Sequence, residues 1–333
     1  MIRDAWHTWV RIWDKYEHPR IQAVLRILVG GIILVDFLWL AILGLVVVLF
    51  GDEAAGGLNP VMTWSSIPPF YRLMPPTAAS AWVLWGLVVV PATMVVVGFR
   101  TRAALVVLLL AYAQTALVIP RGDRGIDLML RNVLLILVFS SCAKTWSVDA
   151  WRETGSWNGD GCHQPAWPRH LLILQLALMY FVAGIAKGSI YWTPMGEYAA
   201  LYILLQDPAV ARMDFAWIEA IYPLTQAATL LTILWEYSAP ILLLFYWFRF
   251  TADRHGRFRA FCNRWPVIPM WLSVGVTFHV MIAATLELGI FPWAMLSLYP
   301  CFVHPGLLGR WLHDRQWTAL LPAAPPGSPA NDT

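Results

Sequence analysis

Lys187 closes an otherwise apolar run, LLILQLALMYFVAGIAK, and is followed at once by GSIYW. A lysine in that place has two uses. It can lie along the helix end and carry its charge out to the headgroups. Held beneath outer loops instead, it is partly desolvated, burial disfavours the ammonium form, and a lysine so held can serve as a general base.

Other ionisable residues fall at membrane depth, where they are costly and usually have a purpose. Asp123, Asp127 and Arg131 gather where the fourth apolar run begins. Asp127 and Arg131 are four residues apart, hence on one helix face, and are expected to neutralise each other. Glu236 in LWEYSAP and His279 in TFHVM sit near the middle of the sixth and seventh runs. Each is expected to face the bundle interior, either as a satisfied core residue or paired with the other across helices. Glu287 belongs to the outer turn that follows. No CxxC pair and no His/Cys cluster at ligand spacing occurs, so no metal is expected.

The elements that must position these residues are membrane helices. Of the 333 residues, 59% are hydrophobic and 13% charged, and the mean hydropathy is +0.59, which describes a chain whose solvent is lipid. Since about 20 apolar residues cross the hydrocarbon core, the runs predict an all-α, polytopic transmembrane bundle of about eight helices, at 24–49, 79–99, 103–120, 126–144, 169–187, 221–248, 267–287 and 289–303. The first run starts too late and is too long for a cleaved signal peptide, and it is expected to remain as a helix.

Residues 1–20 are predicted to hold an amphipathic helix lying on the membrane surface, because Ile2, Trp6, Trp9, Trp13 and Tyr16 recur at spacings of three and four. Residues 21–310 form the membrane domain, and 311–333 a tail with a disordered end, PAAPPGSPANDT. Two long aromatic loops, Gly51 to Thr77 and Gly188 to Ala220, fall on one face and are expected to roof a cavity. No internal repeat of the transporter kind is evident.

Charge sets the orientation. Of the 23 Lys and Arg, only Arg72, Arg121, Arg124, Arg131, Lys187 and Arg212 fall outside the segments that become cytoplasmic when the N-terminus is inside. The positive-inside rule therefore predicts both termini in the cytoplasm. Cys142, Cys162, Cys262 and Cys301 then lie on the reducing side, and no disulfide is expected. A net charge of +3, scattered over helix ends, speaks against nucleic acid as a partner. The lipid bilayer is the expected partner, in a cell membrane of the bacterial inner-membrane kind.

Three segments in order, TWSVDAW, YFVAGIAKGSIYW and FHVMIAATLELGIFPWAMLSLYPCF, resemble the transmembrane domain of the vitamin K-dependent gamma-carboxylases and the broader HTTM (horizontally transferred transmembrane) family. The resemblance covers roughly residues 20 to 305. The carboxylase pattern around its lysine base falls on Ala183, Gly184, Lys187 and Trp192. It implies that Lys187 deprotonates a reduced quinone of the menaquinol or vitamin K hydroquinone type, whose oxygenation yields a base strong enough to prepare a glutamate side chain for CO2 addition. Asp123, Asp127, Arg131, Trp192, Glu236 and His279 are then the candidates for lining the site.

Two departures stand against a full transfer. The Asn-His pair of the carboxylases is replaced here by Gly125 and Ile126, with Asp127 next to them. The large lumenal domain that holds the peptide substrate has no counterpart in this sequence. Three readings thus stay open: a quinol-oxidising, carboxylase-like enzyme; a non-catalytic scaffold or maturation partner of another protein; and a small-molecule or lipid transporter.

Overall fold

The computed structural model describes residues 2–58, 69–73, 75 and 77–314. Their regular structure is helical apart from one two-stranded ribbon and an isolated bridge. In chain order the helices are α1 (Ile2–Trp13), α2 (Arg20–Ile42), α3 (Leu45–Phe50), α4 (Pro69–Leu73), α5 (Ala78–Val97), α6 (Thr101–Val118), α7 (Gly125–Phe139), α8 (Val148–Thr154), α9 (Trp167–Ile185), α10 (Ala200–Gln206), α11 (Tyr222–Phe250), α12 (Arg257–Arg264), α13 (Val267–Thr285), α14 (Phe291–Leu298) and α15 (Pro305–Asp314).

Six of these, α2, α5, α6, α9, α11 and α13, are long and apolar enough to cross a membrane, so the chain is a multi-pass membrane protein. Their outward rows stay apolar, as a lipid solvent requires. On α5, Leu84, Val88, Ala92 and Val95 are buried while Trp82, Val83, Leu87 and Val90 are exposed.

The other two expected spans are shorter. α7 has 15 residues, about 22 Å of helix at 1.5 Å per residue. It lies among α2, α6, α9 and α14, so its surroundings are mostly protein. The last is the eight-residue α14 continued by a 3-10 turn, Tyr299–Phe302. The first expected span also breaks in two, because Gly44 takes φ 70 between α2 and α3, a conformation that glycine adopts without steric cost.

One end of the bundle is knotted by the N-terminal segment. β1 (Tyr16–Glu17) pairs antiparallel with β2 (Gln164–Pro165), and Glu17 receives the guanidinium of Arg169 at 2.7–3.0 Å. Lys187 lies at the opposite end, with α10 over α11 and the 3-10 turn Ala216–Ile221 leading into α11. Of the two long loops expected there, residues 59–68 of the first lie outside the described residues. In the second, the apolar stretch around Tyr198 to Leu205 contains α10. The expected tail lies outside them from residue 315 onward.

Candidate functional site

The lysine site is built on close contact between α9 and α11. Gly184 makes it possible: a Cβ there would stand 3.3 Å from the Glu236 Cβ and 3.4 Å from the Tyr237 ring. Helices in lipid gain association energy mainly from such backbone approach, for which small residues are needed. α9 ends at Ile185, and Lys187 turns back across the seam. Its Nζ donates to the Glu236 carboxylate and to the Ala183 carbonyl at 3.4 Å, and lies 5.0 Å from the Trp192 ring centroid. Trp192 is held there by the 3-10 turn Ile190–Trp192.

Glu236 is 4% exposed, a position at which an unpaired carboxylate in lipid would cost about 2.5 to 3.5 kcal/mol. The lysine is therefore the partner that this carboxylate requires. A lysine serving only the headgroups would have extended away from the bundle.

Two turns down α9, Tyr180 meets His279, which is fully buried. The Tyr180 hydroxyl is 2.8 Å from His279 Nε2 and 2.8 Å from the Tyr299 hydroxyl. Around it, Trp235 and Trp271 stack with centroids 4.6 Å apart, and each indole N–H donates to the other's backbone carbonyl, at 3.0 and 3.2 Å. Gly275 makes room for this aromatic floor, since a methyl there would overlap the Tyr299 hydroxyl and come within 2.6 Å of Trp235. Glu236 and His279 thus both face inward, and each has found a partner other than the other.

A second cluster occupies the same end of the bundle. Asp127 does not pair with Arg131. It sits in the first turn of α7, where its carboxylate accepts from the Arg124 backbone N–H at 2.9 Å and from the Arg124 side chain at 2.8 and 3.0 Å. Tyr112 donates its hydroxyl to the same carboxylate. Free N–H groups at a helix start attract a carboxylate more directly than a cation one turn further on. Arg131 is thereby left to Asp123, which it grips with two bonds of 2.7 and 2.8 Å. Asp36 of α2 completes the group, 3.6 Å from Arg124.

These residues line a cavity of about 220 Å³. Beside it, sharing Arg124, lies a larger and mostly apolar cavity of about 680 Å³ between α7, α9 and the start of α14, with Met179, Val182, Ala183 and Ala186 on its α9 wall. The expectation that Lys187 shares a cavity with Asp127 or Arg131 is not met, because Lys187 lines neither. It reaches across the α11 side of α9, while Ala183 links its site to the larger cavity. Glu287 is in the turn between α13 and α14, paired with Arg212 at 3.0 Å.

Sequence reasoning passed over Tyr180, Trp235, Trp271 and Tyr299, whose rings counted only as apolar. It also passed over Asp36, although the rule that singled out Glu236, a charge inside an apolar run, applies to it equally.

A family model described as the HTTM domain matches residues 15–306, and the chain belongs to that family. It is a family of membrane domains related to the gamma-carboxylases. No curated protein and no solved structure matches the chain.

Proposed function

We propose that this protein is a carboxylase-like membrane enzyme in which Lys187 accepts the proton of a reduced quinone. The observation that carries the reading is the inward turn of Lys187 onto buried Glu236 beneath Trp192. In this reading the proton between the two groups can rest on either. When it rests on the Glu236 carboxyl, Nζ is an amine with a free electron pair, and the pair as a whole stays neutral in a medium that penalises net charge. Nζ can then take a phenolic proton and become an ammonium, its charge balanced by the quinolate that forms and supported by the face of Trp192.

The residues present fit a ring-bearing, lipid-soluble ligand. The larger cavity is of ligand size, mostly apolar, and reaches the end of α9 at Ala183 and Ala186, beside the lysine. A reduced quinone supplies the acidic O–H and the electrons that molecular oxygen accepts. With the lysine end outward, as the charge distribution implies, this site opens away from the cytoplasm.

Lys187→Arg tests the reading. Arginine keeps the charge and the bond to Glu236 but does not release its proton. The variant is expected to insert and fold normally and to lose quinol-dependent oxygen consumption by a factor of about 100 or more. Full activity in Lys187→Arg would reduce the pair to an interhelical clamp. The scaffold reading would then be preferred, and it has one observation in its favour: the lysine lines neither of the two neighbouring cavities.

A further inference from the structure

At the end of the bundle opposite Lys187, the start of α6 and the end of α7 enclose a cavity of about 390 Å³. Its wall has two natures. Leu105, Leu137 and Val138 supply an apolar side toward the bundle, and Arg100, Arg102, Lys144 and the seryl residues 140 and 141 supply a polar rim.

The charges on the rim are not balanced. Asp149 is the one carboxylate among the lining residues, and it is committed to the start of α6, where it accepts from the Arg100 N–H at 2.9 Å, the Thr101 N–H at 2.8 Å and the Thr101 hydroxyl at 2.7 Å. Burial pushes the Asp149 carboxyl up, but the Thr101 and Arg100 donors, with the charge of Arg26, outweigh it and hold it below the ordinary carboxylate range. Lys144 is committed to Glu153 at 2.7 and 3.0 Å. Among the described residues, no carboxylate pairs with Arg100 or Arg102.

Behind the wall lies Arg26, fully buried. One of its N–H groups donates to the Trp146 carbonyl, while Nε and Nη1 find no partner among the described residues. Its charge acts on Cys142 and Asp149, both of which line the cavity. Gly98 is what lets it lie there, at φ +73, in a space where a Cβ would collide with the guanidinium and with Ser147. A buried cation so incompletely matched is costly, and its positive field adds to that of Arg100 and Arg102 at the cavity.

We infer that this cavity binds one anionic phospholipid, its phosphate between Arg100 and Arg102 and the start of its acyl chain along Leu105, Leu137 and Val138. Arginine suits a phosphate because its planar fork offers parallel donors. The apolar side favours a lipid over inorganic phosphate, and the place, where membrane helices meet the aqueous phase, is where a headgroup lies.

The test is native mass spectrometry of the full chain released from nanodiscs of mixed phosphatidylglycerol and phosphatidylcholine. The wild type should retain one phosphatidylglycerol through delipidation. The double variant Arg100→Gln/Arg102→Gln should bind it about thirtyfold more weakly. Ala103→Trp, which fills the cavity without altering charge, should displace it too, and Arg254→Gln/Arg257→Gln, in the other basic segment at this end, should retain it. Equal retention by wild type and the Arg100/Arg102 variant would overturn the inference, as would equal loss in the Arg254/Arg257 control. Displacement by inorganic phosphate at concentrations comparable to the lipid would also overturn it, since the site would then be one for free phosphate. If the double variant unfolds, the Ala103→Trp result decides.

Discussion

Two buried ion pairs stand at opposite ends of α9, and they are built in contrasting ways. Arg169 and Glu17, with side chains 4% and 9% exposed, meet through several bonds in the Arg fork, and the remaining Nη1 donates to the Cys301 carbonyl at 3.2 Å. Every guanidinium nitrogen and both carboxylate oxygens there are bonded. Lys187 and Glu236 meet at a single point, the lysine side chain keeps 18% of its exposure, and an aromatic face and a weakly bonded carbonyl make up the rest. A pair bonded through the fork fixes geometry. A pair that meets at one point, with its lysine side chain partly exposed, leaves room for chemistry.

The sharpest way to break this contrast is Arg169→Leu, which strands Glu17 in a dry site and should destabilise the protein by about 3 to 5 kcal/mol in equilibrium unfolding. If the fork is not structural, the loss will be under 1 kcal/mol. Glu236→Gln should cost less, about 1 to 2 kcal/mol, because Lys187 can turn outward to water when its partner is neutralised. Under the proposed function the same variant also loses quinol-dependent oxygen consumption, so a Glu236→Gln protein that is stable and fully active would place both pairs in the structural class.

The smallest effect is one of pH, at the Arg169 end. His18, next to Glu17, is pushed down to about 4 by burial, with the charges of Arg20 and His163 adding to it. The unfolded chain therefore binds a proton that the folded chain refuses between pH 4 and about 6.5, so stability rises with pH across that window and is lost as pH falls through it. Melting temperature measured against pH should show that slope in the wild type, and His18→Gln should flatten it.

The helices were legible because lipid imposes one rule on every position of a span, and hydropathy reads that rule directly. Lys187, Glu236 and His279 were legible one at a time for the converse reason, as exceptions to it. Their partners were not. Lys187 and Glu236 are 49 residues apart in sequence, and spacing reveals which residues share a helix face, never which helices adjoin. Within α7, where spacing does apply, it pointed to Asp127 with Arg131, and the helix start proved the stronger claim on the carboxylate. Arg169 entered the reading only as a topology charge, and nothing in the order of residues tied it to Glu17, 152 positions earlier.

The aromatic floor beneath the lysine depends on atoms that are absent. In water a glycine in a helix mostly weakens it, but in lipid the missing side chain is what allows rings and backbones to touch. At Gly275 one added methyl would have to displace the Tyr299 hydroxyl and the edge of Trp235 together, and Tyr180 bonds the first while its ring packs against the second. A vacancy the size of a single carbon thus sets the registry of three helices and of the 3-10 turn that carries Tyr299.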